Sequence, residues 1–447
     1  MNLTKQFADL QEMCSASGNA TGIEALVIGG GTSGIATAIS LLKAGIRPVI
    51  IEQAGSFGGI WSLDRHMACY KGLIQNTAPN LTLLDASTTD RKNHYTYHEY
   101  ASLIEDLYNK YQLDSLTFFN TRVSQCKRCD DGFSVEVVKT GSDKGETGTD
   151  SLSLDVEHVI YAGGLYHKPY VPELPGLDSY RGEVYHSSDI DDFERFSDKH
   201  VLIVGLGNTG GDYANMVSEV AASTTVSVRG DTWVVPKSFQ GLPIDEYIQT
   251  VRAKHEDYAS QLVDNLYGEA VIKIGAPQTL DFTKARITVN SDIIGKYHRG
   301  LIHIVDEIID VQESTLCFSN GDSQSFDAII FCTGYEMSLP VIDDVSFDEG
   351  LVANIASKQV RNLWFIGCPA VWGGSPPVAE AQGRLVAHAI ANEIDIEQLE
   401  SLVSTAPHYE QGEQLTSLGF QVVEFTGYIN FVDYICSVGV FKERVYG

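Results

Sequence analysis

The chain has 447 residues, 43% hydrophobic and 20% charged, the proportions of a globular protein of about two or three domains. Its 59 Asp and Glu against 31 Lys and Arg give a formal net charge of −28, which repels phosphate backbones and anionic bilayers and argues against nucleic-acid or membrane-surface binding. The 41 Gly and 13 Pro are background levels, excluding collagen-like and low-complexity classes, and eight Cys are too sparse for a disulfide scaffold.

In chain order, Met1 to Ala20 is polar and lacks the apolar segment of a secretory signal. The first periodic element is Ala25-Leu-Val-Ile28, a short unbroken apolar run that reads as a strand buried on both faces. It leads into Gly29-Gly30-Gly31-Thr32-Ser33-Gly34, then into helical spacing over Ile35 to Ala44, then into a second strand ending at Glu52. Strand, Gly-rich turn, helix and strand form a βαβ dinucleotide fingerprint. Gly29 makes the tight turn, Gly31 lets the backbone approach a pyrophosphate, and Gly34 lets helix pack on strand. The phosphates then rest on N–H groups of the first helical turn, where Thr32 and Ser33 stand. A carboxylate at Glu52 accepts from ribose hydroxyls and rejects a 2′-phosphate, which suits FAD or NAD.

Farther on, Cys126-Lys-Arg-Cys129 is a lone C-x-x-C without the second ligand pair zinc needs, so no metal is expected and the thiols read as unremarkable. Gly132 to Leu152 is polar and Gly-rich, as at a hairpin tip, and Leu154 to Ala162 is an apolar strand running into Gly163-Gly164. The fingerprint then recurs: Val201-Leu-Ile-Val204, Gly205-Leu-Gly207-Asn208-Thr209-Gly210, a helix over Gly211 to Ala222, and a strand from Thr225 to Arg229. Here a guanidinium, Arg229, replaces the strand-end acid and can grip a 2′-phosphate, with Ser227 adding a hydroxyl. That suits NADPH. Phe326 to Phe331 is another returning strand, leading into Cys332-Thr333-Gly334-Tyr335. The expected fold is α/β with two Rossmann-like dinucleotide-binding domains, the NADPH domain (166–335) inserted in a discontinuous FAD domain (1–165 and 336–447). Phe425 to Phe441 is apolar but carries Gly427, Asp433 and Gly439, and reads as buried helix or strand rather than a membrane span. These features together predict a cytoplasmic protein.

These residues resemble the flavin-containing monooxygenase family, among the class B flavoprotein monooxygenases, over nearly the whole chain. Gly58-Gly59-Ile-Trp61 looks like the family's GGxW, and Tyr70 to Thr77 like the segment whose Asn, here Asn76, faces the flavin. Tyr180-Arg-Gly182-Glu-Val-Tyr-His186-Ser187 is similar to FxGxxxHS with Tyr for Phe; Thr333-Gly334-Tyr335 is similar to (A)TGY with Cys332 for Ala. Asn362 to Gly367 and Glu380-Ala-Gln382 look like the last flavin-contacting stretch. The resemblance implies bound FAD reduced by NADPH, reaction with molecular oxygen to a C4a-(hydro)peroxide, and attack by a nucleophilic N or S of a small-molecule substrate. It implies Asn76 beside that oxygen and NADP⁺ as its shield, and by analogy a homodimer. His186 reads as a hinge between domains, with proton transfer as the lesser alternative. Trp61 and the Trp372 to Pro377 loop stand between flavin wall and plain packing, and Tyr297-His298 reads as surface.

Three departures matter. Ile190 stands four residues after His186, where the family prefers Tyr or Phe and Baeyer–Villiger enzymes carry Trp. Pro79 stands where the family has a Lys shortly after the Asn, and the long apolar C-terminal anchor of animal members is missing. A Baeyer–Villiger or biosynthetic hydroxylating enzyme, a thioredoxin-reductase-like disulfide enzyme using Cys126 and Cys129, and a non-enzymatic cofactor-bound sensor remain the alternatives.

Overall fold

Two sheets organise the chain, the first mixed and the second all parallel. A computed structural model describes residues 9–10, 22–63, 68–85, 87–91, 93–130, 132–140, 147–230, 232–255, 257–266, 271–272, 287–336, 350–368, 371–372, 374–408, 411–415 and 420–438. The first sheet has nine strands, with Ile23–Ile28 between Thr147–Tyr161 and Val49–Ile51, both pairings parallel. Ala25, Leu26 and Val27 are fully buried, which is why that strand is an uninterrupted apolar run. Thr147–Tyr161 in turn pairs parallel with Leu363–Phe365, beyond which Ala356–Ser357 and Leu351–Val352 add antiparallel strands.

The second sheet has five strands, ordered Ile302–Val305, Ser223–Ser227, His200–Val204, Ala328–Phe331, Glu183–His186, all parallel. Its strands lie between Tyr161 and Leu363 in sequence, so the chain leaves the first sheet, builds the second and returns. That is the expected α/β architecture with two Rossmann-like units.

Small residues let the helices of the first unit approach closely. Thr32–Lys43 packs on Ser375–Ala391, and a Cβ on Gly383 would come within 2.9 Å of the Thr37 Cα. The C-terminal apolar stretch is a helix, Phe425–Val438, and not a strand. Tyr428, Phe431, Val432 and Ile435 recur at helical spacing and are buried, while Asp433 faces out to Arg384 at 2.6 Å. Residues 439–441 of that stretch lie outside the described residues.

Two boundaries differ from expectation. The second fingerprint helix is Asn208–Val217, ending before 222, because the Val217 carbonyl takes N–H bonds from both Val220 (3.1 Å) and Ala221 (2.8 Å), which tightens the turn. The following strand ends at Ser227, so Arg229 stands beyond it. The Gly-rich stretch is a hairpin of Gly132–Thr140 and Thr147–Tyr161, paired out to Thr140 and Thr147, with 141–146 outside the described residues.

Candidate active site

The first fingerprint is built by contacts only glycine permits. Gly29 has φ +107°, and a Cβ there would sit 2.7 Å from the Ala162 carbonyl oxygen. A Cβ on Gly34 would lie 1.9 Å from the Gly29 oxygen, so the helix rests directly on the turn. Gly31 caps the Thr32–Lys43 helix without any side-chain bond, and no acidic residue occupies the first turn. The N–H groups of Thr32, Ser33 and Gly34 thus face outward as donors suited to a phosphate. Glu52 is buried, and its two oxygens accept from the N–H groups of Gly30 and Ala54, each at 2.7 Å. The two bonds fix the orientation of the carboxylate beside the Gly-rich turn.

The distant segments converge here. Gly59 packs its Cα on Gly31, and Trp61 lies against Tyr100 at 4.7 Å and Tyr97 at 6.1 Å, joining the aromatic core. Gly367 has φ +71°, and a Cβ on it would reach 2.1 Å from Ser33 Oγ. Gln382, fully buried, accepts from the Gly367 N–H at 2.8 Å through Oε1, while its Nε2 has no partner among the described residues. Gln75 Oε1 is another buried, unpartnered acceptor. Orphaned polar atoms around a glycine-lined turn are what a polar, ring-bearing cofactor such as FAD would satisfy.

The second fingerprint repeats the construction with a more open mouth. A Cβ on Gly210 would lie 2.0 Å from the Gly205 oxygen, whereas nothing lies within 4 Å of one on Gly207. Gly207 caps Asn208–Val217 with no side-chain bond and no acid in the first turn, leaving the N–H groups at Asn208, Thr209 and Gly210 to a ligand. Asn208 braces the turn by accepting from the Val289 N–H at 2.8 Å. Arg229 is exposed and makes no hydrogen bond or ion pair among the described residues. Ser227 differs from expectation: it is buried, and its hydroxyl donates to the Asp306 carbonyl at 2.8 Å.

His186 ends the edge strand of the second sheet. Nε2 donates to the Gly334 carbonyl at 2.9 Å, and Nδ1 faces the Ser188 hydroxyl at 2.9 Å and accepts the Ser188 N–H at 3.2 Å. Burial lowers its pKa against the raising effects of Gly334 and Asp189, which keeps the ring neutral with the proton on Nε2. Gly334, at φ +82°, also accepts from the Tyr170 N–H at 2.9 Å, and Thr333 donates to the Tyr170 carbonyl. Both ring nitrogens are thus engaged by the chain.

Asn76 is half-buried beside residues that the sequence reading did not single out. Its Oδ1 accepts from the Lys237 ammonium, which also donates to the carbonyls of Ile74 (2.8 Å) and Gln75 (3.4 Å). Asp212, on the second fingerprint helix, accepts from Tyr70 OH and Asn290 Nδ2, each at 2.7 Å. Burial lowers the Lys237 pKa while Asp212 and Asp292 raise it; burial raises that of Asp212 while Lys237 and Tyr70 lower it. No spacing signal connects positions 76 and 237, so only the fold reveals the pair.

Comparison with known proteins decides the family. The flavin-binding monooxygenase-like family model matches residues 23–443. The chain belongs to this family. It is an FAD- and NADPH-dependent monooxygenase, acting with O₂ on a small molecule. It is similar to flavin-containing monooxygenase 1 of Homo sapiens, at 24% identity over 80% of this chain and 72% of that one. Flavin-containing monooxygenase 5 of Cavia porcellus is also 24% identical, over 80% and 71%. In fold it resembles cyclohexanone monooxygenase from Rhodococcus sp. Phi1 bound to NADP⁺ (TM-score 0.67, 18% identity, 93% of this chain and 97% of that one). It likewise resembles the S-allyl-L-cysteine S-oxygenase of Allium sativum (TM-score 0.61, 18% identity, 94% and 90%). Within this monooxygenase, Cys126 and Cys129 are free thiols on one strand of the first sheet, facing Val135 and Gly132, the first buried and the second exposed. At three residues' separation a strand directs them to opposite faces. No helix among the described residues is long and apolar enough to cross a membrane.

Proposed function

We propose that this monooxygenase transfers one atom of O₂ to a nucleophilic nitrogen or sulfur of a small molecule. FAD, when bound, would supply the redox chemistry, accepting hydride from NADPH and activating oxygen; the chain's part would be to bind and orient it. In this reading the N–H groups of Thr32, Ser33 and Gly34 hold the flavin nucleotide's phosphates and Glu52 holds its ribose. Gly59, Trp61 and Gln382 wall the ring. Residues 166–335 form the NADPH unit, with Gly205 to Gly210 at the pyrophosphate and Arg229 at the 2′-phosphate. Ser227 braces the strand end through Asp306, and His186 is the joint between units.

One observation carries the choice of N or S. The cation that reaches Asn76, Lys237, has its three protons engaged by Ile74, Gln75 and Asn76, so the group left facing outward is a neutral amide. A neutral donor presented to the reacting oxygen fits transfer to the lone pair of an amine or sulfide. Ile190, buried four residues after His186, adds no polar group to this setting. The test is NADPH consumption and product formation with amine, sulfide and ketone panels. Oxygenated amines or sulfides are expected; turnover with ketones alone would overturn the reading.

A further inference from the structure

We infer that Lys237 is the positioning residue for Asn76, fixing which end of its amide faces the reaction. This rests on the reading of Asn76 given above. An ammonium can only donate, so the Asn76 atom turned to Lys237 must be the oxygen and Nδ2 must point the other way. Without that cation the amide is free to turn over, presenting an acceptor where a donor is required.

The base of the lysine is itself fixed. Its N–H donates to Ser291 Oγ at 3.0 Å, and its carbonyl accepts from Ile244 N–H at 2.9 Å. The same carbonyl lies 3.1 Å from His94 Nε2, whose Nδ1 lies 2.9 Å from the Thr77 carbonyl. Asp245 completes the clamp by accepting the Ala78 N–H at 2.8 Å. Residues 74–78 are therefore gripped from several sides by residues 237–245, which belong to the second unit. Lys237 stands where sequence comparison cannot find it: Pro79 occupies the place after Asn76 in which a lysine was expected, and the ammonium arrives from more than 150 residues away.

The arrangement makes Lys237 a means of linking the two units at the reacting centre. Asp212, one of the two carboxylates that raise the Lys237 pKa, lies on the helix whose first turn is the second fingerprint. The positioning group for Asn76 is thus anchored on the nucleotide side of the molecule.

The experiment uses the full-length holoenzyme labelled with ¹⁵N-asparagine, the Asn76 side-chain amide being assigned by its loss in Asn76→Asp. In resting protein, Lys237→Met should shift and broaden that resonance, and Lys237→Arg should largely restore it. In turnover, Lys237→Met should lower product formed per NADPH by about tenfold, the worth of one charge-assisted hydrogen bond, with the KM for NADPH unchanged. A Lys237→Met resonance and coupling equal to wild type, while Asn76→Ala uncouples, would overturn the inference alone. Full coupling in Asn76→Ala would overturn the role of Asn76 and this inference with it. Should Lys237→Met not fold, Lys237→Gln, which loses the charge and one donor and gains an acceptor, replaces it under the same criteria.

Discussion

At the scale of single residues, the decisive contrast is between two opposite charges, one engaged by the backbone and one left exposed. Glu52 and Arg229 follow corresponding strands of two similar units, yet the structure treats them oppositely. Glu52 is buried and bonded to two backbone N–H groups. Arg229 is exposed and unpaired among the described residues, in a chain of net charge −28 that offers many carboxylates. A guanidinium left unpaired beside a nucleotide fingerprint fits a 2′-phosphate bidentately. Arg229→Ala should therefore reduce kcat/KM for NADPH by about ten- to a hundredfold and leave NADH nearly unchanged. Steady-state kinetics with both donors checks this, and equal losses would remove Arg229 from the phosphate site. Both readings could be made from the sequence because strand-end chemistry follows from local spacing. The bond of the Ser227 hydroxyl could not be, because its partner, the Asp306 carbonyl, lies just past the end of another strand, 79 residues away. Lys237 was invisible for the same reason, its acceptors being more than 160 residues distant in sequence.

At the scale of elements, the glycines of the second fingerprint separate fold from function. Gly210 and Gly207 look alike in sequence, but their surroundings differ. A Cβ on Gly210 would stand 2.0 Å from a backbone oxygen that cannot move aside, so Gly210→Ala must push the Asn208–Val217 helix off its strand. A cost of about 2 kcal/mol or more is expected. A Cβ on Gly207 meets nothing within 4 Å, and φ there is −86°, which any residue adopts. Gly207→Ala should leave stability within about 0.5 kcal/mol of wild type while raising the KM for NADPH, since the methyl fills the space a pyrophosphate would enter. Denaturant unfolding without nucleotide and NADPH kinetics test the pair; a fully stable Gly210→Ala would contradict this packing. Strand, turn and helix were readable here because the apolar runs and glycines are local. The early end of the helix at Val217 was not, since it depends on how Val220 and Ala221 fold back.

At the scale of the whole molecule, the junction of the two units is held by polar contacts that titrate. Tyr70, from the segment leading to Asn76, donates to Asp212 on the second fingerprint helix at 2.7 Å, and Asn290 donates to the other oxygen. Burial holds the Asp212 pKa above its usual value of 3.8; Lys237, Tyr70 and Asn290 pull it down and Asp292 pushes it up. A folded-state pKa above the unfolded one contributes stability that is complete below the unfolded value and is lost as pH rises through the folded one. Removing the Tyr70 hydroxyl takes away a donor that favours the anion and so raises the folded pKa further. Tyr70→Phe should then cost about 1–2 kcal/mol where Asp212 is ionised in wild type. The cost should shrink as the medium is acidified through the variant's raised pKa, where the carboxyl is neutral and needs the phenol less. Denaturant midpoints for wild type and variant, taken stepwise downward from about pH 8, read the difference directly. A penalty that stays constant across the series would mean that the junction does not carry an ionised Asp212. The contact linking the second fingerprint helix to the Asn76 segment would then be an ordinary neutral hydrogen bond, with no electrostatic grip on Lys237.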